Sequence, residues 1–257
     1  MTTYEIEDNQ TYIIGDTIEV LKDYRDEAAA IFLDDAWARP RRYGHFGVDY
    51  DTHPFNEEQD AEGYVDTTTT TTEIIDACYD ALMDGGWLIA DADDWLLPRL
   101  VTYLQEEWGD VAQSYKGGGY RKVGGVIYTK SDDTPDCSTA GMYLSTGGYP
   151  VVFAHKNESD RQTSKSARQI ASKEQNNYEW GSVKPISPYE SWVDGLVGSS
   201  ELILVPCAGT APAALAAEKV FGNKAKYVCV DNDEQALKAF KKRREEERTN
   251  LRQQNLG

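Results

Sequence analysis

The sequence predicts an α/β fold, a mostly parallel sheet with helices on both faces. Three observations carry that reading. Residues 28–33 (Ala-Ala-Ala-Ile-Phe-Leu) are an unbroken apolar run of strand length that stops at Asp34, the pattern of a strand buried on both faces. Residues 201–205 and 226–230 are two further strand-like runs, joined by the Ala-rich helical stretch 211–220. Strands alternating with helices of this length make β-α-β units and a parallel sheet.

The elements follow in order. Tyr12-Ile13-Ile14 reads as a short strand closed by Gly15-Asp16, and residues 17–24 as a helix with apolar Ile18, Val20 and Leu21. After strand 28–33, residues 38–64 form an irregular stretch holding Arg39, Arg41, Arg42, His45 and His53. So long a connection without structure of its own is usually functional or mobile. The threonine run 67–72 leads into Ile74, Ile75, Ala77, Cys78, Ala81 and Leu82 at helical spacing, predicting a helix that ends at Gly85-Gly86. Strand 87–90 again finishes in acids, and residues 95–108 are the next helix. In the last third, strand 201–205 enters the turn Pro206-Cys207-Ala208-Gly209-Thr210. Helix 211–220, strand 226–230 ending in Asp231, and a charged amphipathic helix over 234–248 complete the chain.

At 257 residues the chain can bury a substantial core, and one α/β domain with insertions is expected. Asp+Glu number 44 against 26 Lys+Arg, a formal net charge of −18, spread along the whole length rather than gathered in a tail. Few lysines and modest aliphatic content favour adaptation to molar salt. Such salt screens charges beyond roughly 3 Å, so the acidity does not exclude a polyanionic partner. Cys78, Cys137, Cys207 and Cys229 show no CxxC pairing, and Cys207 and Cys229 read as buried free thiols. No histidine has metal-ligand spacing, and His45, His53 and His155 are expected in solvent. No apolar segment is long enough for a bilayer and the start lacks a signal-peptide pattern, so a cytoplasmic protein is expected.

The middle third departs from the acidic background. Residues 115–130 carry Lys116, Arg121, Lys122 and Lys130 with no acid, and 156–178 carry Lys156, Arg161, Lys165, Arg168 and Lys173 against three acids. Two readings stand for these stretches: solvated surface loops, or an electrostatic footprint for phosphates. The run Lys241-Lys242-Arg243-Arg244-Glu245-Glu246-Glu247 reads as a salt-bridged helix end.

Two strand tips carry chemistry. Asp34-Asp35-Ala36-Trp37 offers a carboxylate, main-chain carbonyls and an aromatic face. That set can accept both hydrogens of an amino group on a flat ring while the aromatic stacks on the ring. The small-residue turn 206–210 brings backbone N–H groups near a ligand, and Asp231, 22 residues after Gly209, can accept ribose hydroxyls.

With those residues in place, the chain resembles the amino-methyltransferases of DNA (adenine-N6 and cytosine-N4). The resemblance is to the permuted group, in which the catalytic segment precedes the cofactor-binding one. Residues 13–21 are similar to its opening GD-x-x-E-x-L, and Asp34–Trp37 stands where it carries Asp-Pro-Pro-Tyr. Residues 85–88 and 94–98 match the strand and helix that follow, and Lys184-Pro185 looks like its KP helix start. Pro206–Thr210 looks like its D-P-F-A-G-S-G turn, and Val230-Asp231-Asn232-Asp233 like its ribose-binding strand end.

The resemblance implies a Rossmann-like S-adenosylmethionine-dependent methyltransferase fold. Residues 1–114 would form the catalytic half, 115–180 a partly flexible target-recognition insert and 181–257 the cofactor-binding half. It implies methyl transfer from S-adenosylmethionine to an exocyclic amine of a flipped base, adenine N6 ahead of cytosine N4, in a restriction-modification setting. Asp34 would accept from the amine, the Asp35 carbonyl would take the second N–H beside Ala36, and Trp37 would stack. The cofactor residues would be Asp16, Lys184, Pro206, Cys207, Ala208, Gly209 and Asp231; Arg39, Arg41, Arg42, Lys116, Arg121 and Lys122 would meet double-stranded DNA. No metal or membrane is implied, and a homodimer stays open. The chain departs from the family at both prolines of the catalytic turn (Asp35, Ala36), at the leading acid of the cofactor turn (Val205) and at its second glycine (Ala211). The competing reading is a non-catalytic DNA-binding protein that retains the fold. A nucleotide-dependent oxidoreductase would need a glycine-rich turn that the chain lacks.

Overall fold

The computed structural model describes residues 1–34, 72–94, 96–109, 117–130, 134, 147–161, 163–181 and 183–254. Its strands are β1 (Thr2–Glu7), β2 (Gln10–Ile14), β3 (Ala28–Leu33), β4 (Leu82–Asp91), β5 (Gly119–Thr129), β6 (Gly148–His155), β7 (Arg168–Ser172), β8 (Leu202–Pro206) and β9 (Lys226–Asp231). The helices are α1 (Thr17–Leu21), α2 (Thr72–Ala81), α3 (Leu97–Glu107), α4 (Ser187–Leu196), α5 (Pro212–Phe221) and α6 (Glu234–Gln254). The nine strands among the described residues form one sheet in the order β1-β2-β9-β8-β3-β4-β6-β5-β7. The five strands from β2 to β4 in that order are mutually parallel. An antiparallel β6 closes them on one side and an antiparallel β1 on the other.

Burial explains why the central strands are apolar throughout. Every residue of β3 is buried, because one core lies on each face. One core packs Tyr189, Trp192 and Val193 of α4, the α5 alanines and Phe240 of α6 against the sheet. The other packs Val20 and Leu21 of α1, Ile75 and Cys78 of α2, and Leu100 and Leu104 of α3. The four buried alanines of α5 let that helix approach its strands closely, which a stripe of larger side chains would prevent.

The chain leaves β8 through α5 to β9 on one side, and leaves β3 through α2 to β4 on the other. The strand order therefore reverses between β8 and β3, and a crevice opens outside the carboxyl ends of strands at such a switch point. Asp34 follows β3 and the 207–211 turn follows β8, so two predicted site segments, far apart in sequence, share that edge.

Several elements differ from expectation. Helix α2 ends at Ala81, and Gly85-Gly86 lies inside β4 instead of capping the helix. The reason is local crowding: a Cβ on Gly86 would stand 2.7 Å from the Ala28 carbonyl oxygen, at a register shift between β3 and β4. The basic stretch 115–130 is largely strand β5, paired with β6 and β7 in the main sheet, and no solvated loop. Strand β1, which the sequence pattern does not announce, is an edge strand whose alternating Thr-Thr-Tyr-Glu-Ile-Glu buries only Tyr4 and Ile6 in part. Among the described residues no helix is long and apolar enough to cross a membrane.

Candidate active site at the strand tips

Asp34 stands just past the tip of β3 with its side chain 41% exposed, and its Oδ1 is ion-paired with Lys184 Nζ. Lys184 is itself buried and also binds Asp91 Oδ2 at 2.6 Å. Asp91, the last residue of the neighbouring strand β4, accepts a further hydrogen bond from Tyr189 Oη at 2.6 Å on the same oxygen. The ammonium additionally lies 4.6 Å from the centre of the Tyr149 ring. One cation thus serves two carboxylates, one at the crevice and one beneath it.

Electrostatics follow from that count. Burial raises the Asp91 carboxyl to about 6, against the pull of Lys184 and with help from Asp34. For Lys184 burial works against the charge, yet the two carboxylates outweigh it and hold its pKa above the ordinary value. The lysine therefore stays charged, while buried Asp91 takes up a proton at a higher pH than an ordinary carboxyl does.

The β8 turn is built on unusual backbone. Cys207, Gly209 and Ala211 all have positive φ, at 53°, 50° and 46°. In that turn Gly209 N–H donates to Asp231 Oδ2 (2.8 Å), while Asp233 N–H donates to Oδ1 (3.0 Å). Tyr12 Oη donates to the Gly209 carbonyl at 2.9 Å. Glycine at 209 also leaves room for Trp180, whose Nε1 would lie 3.0 Å from a Cβ there. Burial raises the Asp231 carboxyl pKa, although the Gly209 and Asp233 amides oppose the shift. Asp16, at the tip of β2, accepts from Glu19 N–H and caps α1. Gly15 N–H donates to the Asp231 carbonyl, which sets the β2 and β9 tips side by side.

Arg243 of α6 ties the turn after β8 to the backbone at Lys184. It is fully buried and donates from Nη1 to Thr210 Oγ1 (3.0 Å) and from Nη2 to the Lys184 carbonyl (2.8 Å) and Glu174 Oε2 (3.1 Å). The run read as a helix end lies instead inside α6, which continues to Gln254, and Lys242 and Arg244 are ion-paired with Glu179 and Glu218 outside that helix. Arg243 is ion-paired too, with Glu174, but it is buried, because the helix turns that side chain inward.

Of the sequence-predicted residues, the structure gathers Asp34, Lys184, Asp16, Asp231 and the 206–209 turn at one edge. Cys207 is only half-buried, unlike Cys229, because it lies in the turn rather than in the strand. Asp35, Ala36, Trp37, Arg39, Arg41, Arg42 and Lys116 lie outside the described residues. Arg121 and Lys122 face a separate cavity below the strand tips. Asp91, Tyr149, Tyr189, Trp180 and Arg243 were not anticipated. Only Asp91 had a visible signal, an acid ending an apolar strand.

A parallel α/β sheet with this strand order and an acid-lined switch-point crevice has the fold of the DNA amino-methyltransferases. No protein-family model matches the sequence, nor does any curated protein. Solved structures do. The complex of M1.HpyAVI with SAM superposes with a TM-score of 0.61 at 12% identity, over 91% of this chain and 99% of that one. The cytosine-N4-specific PvuII DNA methyltransferase gives 0.61 at 12%, over 90% and 86%. TTHA0409 of Thermus thermophilus, described as a proposed DNA modification methylase, gives 0.61 at 14%, over 92% and 94%. At these identities the likeness establishes the fold, a Rossmann-like methyltransferase fold across nearly the whole chain.

Proposed function

We propose that the protein is a DNA amino-methyltransferase that moves a methyl group from S-adenosylmethionine to the exocyclic amine of a base flipped out of the duplex, with adenine N6 ranked ahead of cytosine N4. The observation that carries this reading is the Asp34 carboxylate, held by buried Lys184 beside the β8 turn at the switch point of the sheet.

An amine conjugated to a ring is a poor nucleophile, because its lone pair is delocalised. With Oδ1 engaged by Lys184, Oδ2 of Asp34 is the atom that accepts one N–H of the target amine. The Asp35 carbonyl is assigned the second N–H and Trp37 the stacking face. Together they favour a tetrahedral nitrogen with a free lone pair, and positioning supplies much of the acceleration. Lys184 holds one oxygen of Asp34 and fixes its rotamer, so the acceptor is preorganised.

The residues of the crevice fit S-adenosylmethionine. The Asp231 oxygens accept backbone N–H groups from Gly209 and Asp233, and a carboxylate has about four acceptor sites, so it can also take a ribose hydroxyl. The 206–209 turn is assigned the methionine part and Asp16 the adenine edge. An acidic rim of Asp16, Asp34, Asp231 and Asp233 suits a ligand with a net positive charge. When bound, that cofactor supplies a methyl group activated by a sulfonium. Arg39, Arg41, Arg42 and Lys116 are assigned DNA phosphates near the flipped base.

A labelled-methyl assay on mixed-sequence DNA at high KCl tests the reading. Wild type is expected to label DNA and Asp34→Ala to lose about 10²–10⁴-fold in rate. Equal labelling by both proteins contradicts it. The replacement of both catalytic prolines by Asp35 and Ala36 motivates the second reading, a non-catalytic DNA-binding protein. That reading predicts DNA binding with no labelling from either protein.

A further inference from the structure

A cavity of about 550 Å³ lies on the α4 face of the sheet, away from the crevice. Trp87 of β4, Phe153 and His155 of β6 and Trp192 of α4 line it. Trp87 pairs with His155 and Ile89 with Phe153, whereas Asp91 at the strand tip pairs with Val151. At ~3.3 Å per residue, the cavity begins about 7 Å below the tip and reaches about 13 Å below it. Its size falls within the range of small-molecule pockets.

The β5 wall is shaped by a bulge. Tyr120 pairs with Ala154 and Lys122 with Phe153, so Arg121 is an extra residue in the strand. A bulge breaks the alternation of side chains, and here both Arg121 and Lys122 line the cavity. Arg121 is aimed by His155: its Nε donates to Nε2 at 2.6 Å, and the opposite ring nitrogen Nδ1 contacts the Asn157 carbonyl at 2.6 Å. That pattern requires a neutral imidazole, in line with burial and the Arg121 charge lowering its pKa to about 4. Arg161 and Lys165 also line the cavity but are engaged by Glu201 and Asp194. Lys122 is exposed and has no ion-pair partner among the described residues. Asp160 is the one acid among the described lining residues, in a chain whose net charge is −18.

Residues 159–161 and 163–167 close the remaining side. Trp192 Nε1 donates to the Ser166 carbonyl (3.1 Å) and Trp87 Nε1 to Ser159 Oγ (3.1 Å). A Cβ on Gly195 would meet Thr163 Oγ1 at 2.7 Å, so the segment lies directly on α4. A concave, walled space with two adjacent cations admits one phosphate at its head, where a duplex backbone would need an open surface.

We propose that this cavity is a second ligand site, for a small organic phosphate bearing a flat ring, of mononucleotide size. Arg121 and Lys122 bind the phosphate and the Trp87 side supplies the apolar wall for the ring. The site is independent of the methyltransferase reading.

Titration calorimetry with uridine 5′-monophosphate, uridine and inorganic phosphate tests it, in the presence of saturating S-adenosylmethionine. The pyrimidine nucleotide avoids competing as an adenosine analogue. The nucleotide is expected to bind at least tenfold tighter than either fragment. Lys122→Ala, an exposed change, and Arg121→Met are each expected to weaken it at least tenfold, while Asp231→Ala leaves it unchanged. Absence of nucleotide binding by the folded wild type overturns the proposal, as does binding indifferent to Lys122 and Arg121. Loss of binding in Asp231→Ala would move the ligand to the strand-tip crevice. Tighter, Lys122-dependent binding of a short single-stranded oligonucleotide would reassign the surface to nucleic acid.

Discussion

The strand-tip cluster and the cavity beside α4 solve opposite versions of one problem. At the tips, two carboxylates share one buried lysine; in the cavity, an arginine faces an imidazole. Burial disfavours charge in both places, so Asp91 is raised to about 6 and His155 is lowered to about 4. The sign of each site then depends on its surplus partner. The crevice presents the half-exposed Asp34 carboxylate, whereas the cavity is lined by Arg121, held by His155, and by exposed Lys122. An excess of one charge, held in place by a buried group of adjustable protonation, is what each site offers a ligand.

Removing the shared cation should break this contrast most severely. Lys184→Met leaves two carboxylates without their buried partner and is expected to cost about 3–5 kcal/mol in urea denaturation. Adding Asp91→Asn to that variant should recover part of the loss, since it removes the deeper charge. A cost below about 1 kcal/mol for Lys184→Met would mean that the cluster is hydrated and the contrast false.

The two buried groups should also pull stability in opposite directions with pH. Folded Asp91 takes its proton near pH 6 and the unfolded residue near 4, so its contribution is present at low pH and lost as pH rises through 6. His155 ionises near 6.5 unfolded and near 4 folded, so its contribution is present at neutral pH and lost as pH falls. Between pH 4 and 6 the two oppose each other. Relative to wild type, Asp91→Asn should therefore make stability fall more steeply with acid, and His155→Gln less steeply. Each difference is limited to ~1.4 kcal/mol per pH unit. Denaturation midpoints at pH 4.5 and 6.5 check both signs.

The smallest expected effect sharpens the crevice side. Ala211 is buried at a φ of 46°, a conformation that costs a residue with Cβ roughly 1 kcal/mol. Ala211→Gly should raise stability by about that amount in thermal unfolding, and unchanged or lower stability would show that the turn is relaxed as it stands.

The parallel core was legible because its strands are buried on both faces and must be continuously apolar. Acids at strand tips break that pattern, which is why Asp34 and Asp231 stood out. β5 was not legible: its glycines and cations carry no period-2 alternation, since a bulge and close neighbours on both sides govern each position. Gly85-Gly86 looked like a helix cap because close strand contact demands the same residue as a helix end. Arg243 and His155 were misjudged for one reason. His155 at a loop edge reads as solvated and Arg243 as one more ion pair of a charged helix end, and only the folded chain reveals the carbonyl, hydroxyl or guanidinium that satisfies each of them in the interior.

Binding of S-adenosylmethionine to paired single-site variants tests the central claim most directly. If the β3 tip presents the amine acceptor and the β8–β9 tips hold the cofactor, Asp34→Ala should bind S-adenosylmethionine as wild type does. Asp231→Ala should bind it at least tenfold more weakly. A wild type that binds none, or an Asp231→Ala variant that binds undiminished, would contradict the account.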